Sequence, residues 1–252
     1  MKKVLAFDID QTLNIAKTPI DDEIALLLTK CLNHFKICPI SGQKFDQFLI
    51  QIVNRLPNPT QQELENLHLF VAQGTQYYRY EGGDWKQVYN YPLTDEQVKK
   101  ISSALESSAR ELGLWEEDKL LPGDEIIENR LSQVTFSALG QHAGTEAKYA
   151  WDPDCKKREK IVALAKEKAP EFDYEIGGTT SINAITPGMN KKFGMTHLME
   201  ELNVEKEDIL YFGDMTNPGG NDYPVVEMGI DTITVRSHED TAYALRGILG
   251  VL

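Results

Sequence analysis

The stretch Val4-Leu5-Ala6-Phe7-Asp8-Ile9-Asp10 decides the fold. Four consecutive apolar residues are typical of a strand buried on both faces of a parallel sheet, and this strand ends abruptly in carboxylates. A second stretch, Tyr211-Phe212-Gly213-Asp214, has the same layout. Because the carboxyl ends of strands form the ligand crevice of an open α/β sheet, we expect three acids from two strands to converge there.

The segments around these stretches predict the domain organisation. After the first strand, a helix from about residue 21, a strand at 37–40 and a helix from residue 44 give a β-α-β-α order. The α/β rhythm resumes at Asn190. We therefore predict an α/β fold with a parallel sheet, a split Rossmann-like core over residues 1–87 and 187–252, and an inserted α+β domain over 88–186.

The insert has a helix signal of its own. Thr94, with Gln97 three residues later, resembles a capping box, and an apolar face follows on the same helix. That face can pair with a second copy of the chain, or it can be covered within its own domain, which is the commoner case.

Charge and composition exclude several classes of partner. The formal net charge of −13 argues against nucleic acid and anionic membranes, which bind clustered Lys and Arg. The same net charge repels phosphate esters, so any site that binds a phosphate must be locally basic. The three cysteines have no metal-binding spacing, and no apolar run has the length of a signal peptide core or a membrane span. We expect a soluble protein of the cytoplasm.

The converging carboxylates indicate a metal. Unpartnered carboxylates repel one another, so their clustering favours a hard cation such as Mg²⁺, and the absence of His and Cys from the set disfavours zinc. The alternative is that each aspartate only caps a helix or lies in a solvated loop.

These motifs resemble the haloacid dehalogenase superfamily, whose first motif is DxDGT. The resemblance implies that Asp8 is the nucleophile that forms an aspartyl-phosphate and that Asp10 is the general acid and base. Ser41 with Gly42 matches the second motif, which holds a phosphate oxygen, and Lys191 matches the lysine that neutralises the phosphoryl group.

The metal set is implied by the same resemblance. Asp214 would join Asp8 and the backbone carbonyl of Asp10 around Mg²⁺, and Asp222 closes the metal-loop signature.

Longer stretches are similar to the eukaryotic-type phosphomannomutases, within the subclass that carries a C2b-type α+β cap. These are the metal loop from Phe212 to Asp222, the cap exit from Gly177 to Asn183, and Glu239-Asp240-Thr241. The resemblance implies Mg²⁺-dependent phosphoryl transfer on hexose phosphates, with interconversion of sugar 1- and 6-phosphates. It also implies a homodimer that pairs through the cap.

This sequence departs from that pattern at several positions. Gln11 replaces the glycine of the first motif, where backbone amides approach the phosphate. The substrate-binding arginines of the family correspond here to Arg130, Lys17, Gln141 and Lys148. Ser181 matches a sugar-contacting serine, whereas Asn183 replaces an aspartate. We therefore expect weaker binding of a distal phosphate.

Three functions follow from these departures. The first is a phosphomannomutase-like phosphotransferase. The second is a sugar-phosphate phosphatase, which the loss of cap arginines favours. The third is an inactive binding protein, for which Gln11 is the motive. The metal loop also runs directly toward the next strand, so we predict no second structural cation.

Overall fold

The computed structural model describes residues 2–15 and 18–252, which divide into two compact units. The core unit comprises Met1–Asn90 and Met189–Leu252, and the cap unit comprises Tyr91–Gly188. The first boundary follows residue 90 rather than the predicted 87, and the second precedes residue 189 rather than 187.

Eleven strands and nine α-helices lie in the described residues. The strands are β1 (Val4–Phe7), β2 (Lys36–Ser41), β3 (His68–Val71), β4 (Gln76–Glu81), β5 (Asp84–Asn90), β6 (Ile127–Asn129), β7 (Gln133–Ser137), β8 (Asp173–Gly177), β9 (Ser181–Ile185), β10 (Ile209–Gly213) and β11 (Asp231–Thr234). The helices are α1 (Asp22–Cys31), α2 (Phe45–Gln51), α3 (Gln61–Glu65), α4 (Asp95–Glu111), α5 (Thr145–Trp151), α6 (Lys156–Lys168), α7 (Lys191–Leu202), α8 (Tyr223–Glu227) and α9 (His238–Leu249).

The core unit contains a seven-stranded sheet in the order β11-β10-β1-β2-β3-β4-β5. Its first five strands run parallel, and β4 and β5 are added antiparallel at one edge. The predicted α/β fold is confirmed.

Strand β1 is the middle one of the five parallel strands and is fully buried. Alternate side chains point to opposite faces of a strand, so Leu5 and Phe7 pack with α1 and α9, whereas Val4 and Ala6 pack with the apolar residues of α7. Helices therefore cover both faces of the sheet, which explains why the β1 sequence is a continuous apolar run.

The cap unit contains a four-stranded antiparallel sheet in the order β6-β7-β9-β8. Its core joins one face of this sheet to α4 and α6. The predicted capping box is present at the start of α4, where Gln97 N donates to Thr94 Oγ1 at 3.2 Å and Thr94 N donates to Gln97 Oε1 at 2.8 Å.

The apolar face of α4 is covered within the cap itself. Ile101 and Leu105 are fully buried in the cap core, and Val98 and Leu112 pack against it. The face thus packs within its own domain, which is one of the two predicted possibilities, and pairing through the cap stays a prediction. Across the described residues, every helix is too short or too polar to cross a membrane.

Candidate active site

Two neighbouring strands bring the first carboxylates together. Strands β1 and β10 are parallel neighbours with Phe7 opposite Phe212, and the backbone amide of Asp8 donates to Phe212 O at 2.9 Å. Asp8 and Asp214 therefore leave the sheet side by side at its carboxyl edge, as expected from the sequence. Ser41 ends β2, which is the neighbour of β1 on its other side.

Lys191 joins this edge from the first residue of α7. Its side chain is fully buried, and Nζ lies 2.5 Å from both Asp8 Oδ1 and Asp222 Oδ1. The lysine therefore links the predicted nucleophile to the last aspartate of the metal loop. The energetic reason is simple, because a charge removed from water needs opposite charges in direct contact.

Asp222 is held by neighbours on both of its oxygens. Tyr211 donates its hydroxyl to Oδ1 at 2.5 Å, and the backbone amide of Met215 donates to Oδ2 at 2.9 Å. A side chain at Gly213 would collide with this carboxylate, since a Cβ there would lie 2.6 Å from Asp222 Oδ2. The Gly213-Asp214 pair of the motif thus has a packing reason as well as a chemical one.

The carboxylates fit a hard divalent cation. Asp8, Asp214 and Asp222 each offer one oxygen, and these three oxygens lie within 4.8 Å of one another. An all-oxygen set of this kind suits Mg²⁺ or Ca²⁺ rather than zinc or copper. Because Asp222 already accepts hydrogen bonds on both oxygens, we interpret it mainly as the partner that orients Lys191.

The ionisation of the site reflects burial and crowding. Burial raises the pKa of Asp8 well above its usual range, although the adjacent Lys191 opposes that shift. Burial and the Asp222 carboxylate raise the pKa of Asp214 to about 6. For Lys191, burial alone would lower the pKa, but the Asp222 and Asp8 carboxylates raise it above its ordinary value. The site thus has more negative charge than it can balance, and a cation would relieve the excess.

The loop after β1 is a tight turn with an unusual residue. Gln11 has a φ of 64°, which is the left-handed region that favours glycine. Its backbone amide donates to Asn14 O at 2.9 Å and thereby closes the turn. The DxDGT glycine of the family thus corresponds to a position that needs positive φ, and Gln11 occupies it at a cost of about 1 kcal/mol or more.

The Glu239-Asp240-Thr241 stretch supports the same loop. Thr241 is fully buried in α9, and its hydroxyl donates to Thr12 O at 2.6 Å. This contact anchors the turn that follows Asp8 and Asp10. The sequence pointed to Thr241 only by resemblance, and the structure supplies the physical role.

Sequence reasoning missed the role of Tyr211 described above, and it also missed a residue of the neighbouring loop. Gln43 follows Ser41 and Gly42, is 5% exposed, and donates from Nε2 to Asp10 Oδ1 at 3.2 Å. No motif signals this contact, because it depends on how the loops after β1 and β2 meet. The carboxylate of Asp10 therefore has an amide partner, and it is not one of the three carboxylates that cluster at the candidate cation site.

The cap unit has a polar face opposite its apolar core. Gln133 and Thr135 of β7 and Ser181 and Asn183 of β9 point to this face, and all four are buried. Asn183 Oδ1 accepts from Thr135 Oγ1 at 2.9 Å and from Gln133 Nε2 at 3.3 Å. The asparagine that replaces the family's aspartate is thus fixed by its sheet neighbours.

The predicted cationic residues of the cap have partners within the cap. Arg130 donates from Nε at 2.9 Å and from Nη2 at 2.7 Å to a single oxygen of Glu128, which also accepts from Gln141 Nε2 at 3.0 Å. Lys148 lies on α5, a helix that the sequence did not predict, and its Nζ donates to Gln141 O at 2.6 Å. Lys17 lies outside the described residues.

Comparison with known proteins places the chain in a family. The family model for "Eukaryotic phosphomannomutase" matches residues 28–251. "Phosphomannomutase 2" of Dictyostelium discoideum is 24% identical and covers 94% of this chain and 93% of its own length. "Phosphomannomutase" of Saccharomyces cerevisiae is 27% identical and covers 96% of this chain and 92% of its own length.

Solved structures resemble this fold at low sequence identity. An IMP-nucleotidase structure from Plasmodium falciparum has a TM-score of 0.71 and 16% identity, and covers 100% of this chain and 72% of its own. A haloacid dehalogenase-like hydrolase from Bacteroides thetaiotaomicron has a TM-score of 0.63 and 14% identity, and covers 98% of this chain and 100% of its own. The chain is an enzyme of the haloacid dehalogenase superfamily and belongs to its eukaryotic phosphomannomutase family.

Proposed function

We propose that this enzyme transfers a phosphoryl group on hexose phosphates through Asp8, as a phosphomannomutase does. The observation that carries the proposal is the double contact of Lys191, whose Nζ is 2.5 Å from both Asp8 and Asp222. A buried lysine fixed beside a strand-end aspartate is suited to neutralise a phosphoryl group as it reaches that aspartate.

The proposed first step forms a bond between a carboxylate oxygen of Asp8 and phosphorus. The bond between phosphorus and the sugar oxygen breaks, and Asp10 gives its proton to that oxygen. Ser41 and the backbone of Gly42 hold a phosphate oxygen. Mg²⁺, held by Asp8, Asp214 and the Asp10 carbonyl with Asp222 behind them, would supply positive charge that offsets the phosphate.

In the second step, Asp10 takes the proton from an attacking hydroxyl. The oxygen of that hydroxyl bonds to phosphorus, and the Asp8 carboxylate leaves. In a mutase the cycle starts with a phosphoryl group already on Asp8, and the attacking hydroxyl belongs to a sugar monophosphate, so this step gives a sugar bisphosphate and a free Asp8. The bisphosphate must then stay bound and turn around, so that its other phosphoryl group passes to Asp8 by the first step and the isomeric monophosphate is released. We propose Arg130, Lys148, Ser181, Asn183, Gln141 and Lys17 as substrate-binding residues for this stage.

One observation favours the phosphatase as a second candidate. Arg130 is the only cap arginine that matches the family pattern, and it forms a two-nitrogen contact with Glu128. A charge already paired in this way contributes less to holding a second phosphate. Water would then replace the sugar hydroxyl in the second step.

One assay distinguishes the candidates. The protein is supplied with mannose 1-phosphate, Mg²⁺ and a trace of glucose 1,6-bisphosphate, and both mannose 6-phosphate and inorganic phosphate are measured. Formation of mannose 6-phosphate supports the mutase. Stoichiometric release of phosphate without mannose 6-phosphate rules it out and supports the phosphatase. Absence of both products, together with no binding of Mg²⁺ or beryllium fluoride, supports the binding protein.

A further inference from the structure

The contact between Gln43 and Asp10 has a specific chemical meaning. The Gln43 amide nitrogen lies 3.2 Å from Asp10 Oδ1 and carries only hydrogen-bond donors. An oxygen that faces such a nitrogen acts as an acceptor and does not present a proton in that direction. The amide therefore restrains the rotation of the Asp10 carboxyl group through this oxygen.

We propose that Gln43 is a positioning residue, whose amide holds the Asp10 carboxyl group through Oδ1 in the orientation that proton transfer to the leaving sugar oxygen, and later from the attacking hydroxyl, requires. This inference rests on the proposed function, because it requires Asp10 to be the general acid and base. Gln43 acts through Asp10 and forms no bond to phosphorus.

The backbone of Gln43 is anchored by a neighbouring segment. Its backbone carbonyl accepts from Ala72 N at 3.2 Å, and the residue is 5% exposed. Ala72 and Gln73 have φ values of 49° and 61°, so the segment that anchors Gln43 adopts a conformation that residues with side chains rarely adopt. Such strain persists only where the surrounding structure determines it.

The same strained segment packs against the helix that carries the site lysine. A Cβ on Gly74 would lie 2.3 Å from the Cα of Gly194, one turn after Lys191 in α7. The segment from Ala72 to Gly74 thus packs against α7 on one side and supports Gln43 on the other. This arrangement keeps the partner of Asp10 in register with the rest of the core site.

The test compares two leaving groups in one protein. Mannose 1-phosphate releases a sugar alkoxide that needs a proton, whereas p-nitrophenyl phosphate releases a stabilised phenolate that does not. Gln43→Met removes the amide donor at similar volume. We expect this variant to lose about 10- to 100-fold more kcat/KM on mannose 1-phosphate than on p-nitrophenyl phosphate, which is part of the roughly 10²- to 10⁴-fold that general acid catalysis contributes, because Asp10 itself remains.

Two further variants make the result decisive. Gln43→Leu also removes the amide donor but has a different shape, and we expect it to show the same selective loss even if Gln43→Met folds poorly. Gln76→Met changes another buried glutamine of the core unit, and we expect any loss to be equal for the two substrates. Equal losses in both Gln43 variants would overturn the inference.

Asp10→Asn separates this inference from the function on which it rests. A selective loss in Asp10→Asn with equal losses in the Gln43 variants would reject the role of Gln43 alone. Equal losses on both substrates in Asp10→Asn would instead reject Asp10 as the general acid, and the inference with it. Selective losses in both sets support both assignments.

Discussion

Two nitrogens of Arg130 bond to one carboxylate oxygen of Glu128, at 2.9 and 2.7 Å. Both side chains are buried, so the pair is stronger than an exposed one and costly to break. The relationship bears directly on function, because an arginine committed to a carboxylate is less able to grip a second phosphate. The product that the enzyme makes depends on how firmly it retains a doubly phosphorylated sugar.

Glu128→Gln should therefore release part of the Arg130 charge. We expect tighter binding of glucose 1,6-bisphosphate, by about tenfold or 1.4 kcal/mol, with a smaller change for mannose 1-phosphate. We also expect the free energy of unfolding to fall by about 1–3 kcal/mol, because a charged hydrogen-bond partner is lost. Calorimetric titration and denaturant unfolding measure the two effects. Exposed Glu125→Gln is the control, and equal affinity changes for both ligands would refute the interpretation.

Lys191→Met should destabilise the metal-free protein. It leaves Asp8 and Asp222 buried without their cation, so we expect a loss of about 3–5 kcal/mol in the free energy of unfolding. Mg²⁺ should restore part of this loss. Lys192→Met, on the exposed side of the same helix, should change stability by less than about 0.5 kcal/mol. Similar losses in both variants would show that the ion pairs contribute little.

Gln11→Gly should relieve the positive φ in the loop after β1. A residue with a side chain is destabilised by about 1–2 kcal/mol in the left-handed region, and glycine removes this cost. Part of the resulting stabilisation is offset by the greater freedom of glycine in the unfolded chain. We expect unfolding free energy to rise by about 0.5–1 kcal/mol and kcat/KM to rise with it. Gln62→Gly, in helix α3, should have the opposite effect and lower the free energy of unfolding by up to about 1 kcal/mol. A loss of stability in Gln11→Gly would contradict this account of the loop.

Mg²⁺ affinity should fall as the pH falls through about 6, the pKa of Asp214. A raised carboxyl pKa means that the folded, metal-free protein holds a proton more tightly than the unfolded chain does. The proton on Asp214 stabilises the folded, metal-free protein fully when the pH is below the pKa of this carboxyl group in the unfolded chain, and this stabilisation is lost as the pH rises through about 6. Below about pH 6, Mg²⁺ must displace that proton before it can bind Asp214. Titration with Mg²⁺ at pH 5, 6 and 7.5 tests the trend. Asp214→Asn should bind Mg²⁺ weakly at all three values, and an affinity for the wild type that is independent of pH would contradict the assignment.

The sequence predicted the elements that depend on local pattern. The apolar run of β1, the capping box at Thr94 and the acidic strand ends are each visible within a few residues, and their structural consequences are as expected. Helix α5 was missed, because its seven residues lie between glycine and aspartate and carry no clear apolar period.

Two missed residues of the core site share one physical cause. Gln43 meets Asp10 across 33 positions of sequence, and Tyr211 meets Asp222 only because the metal loop folds back on its own strand. Such contacts depend on how loops meet in three dimensions. Glu128, the partner of Arg130, was missed for a different reason. It lies two residues before Arg130 in the chain, and an acid at that spacing is not by itself a sign of pairing.

The most direct test of the account is to locate the phosphate on the protein during turnover. The enzyme is mixed with mannose 1-phosphate, glucose 1,6-bisphosphate and Mg²⁺, quenched within milliseconds, and reduced with borohydride, which converts an aspartyl-phosphate to homoserine. Mass spectrometry of the digested protein should then find the change at position 8 and nowhere else, and Asp8→Asn should show neither the label nor turnover although it remains folded. A label on another residue, or near-normal turnover in Asp8→Asn, would contradict the central claim that Asp8 carries the phosphoryl group.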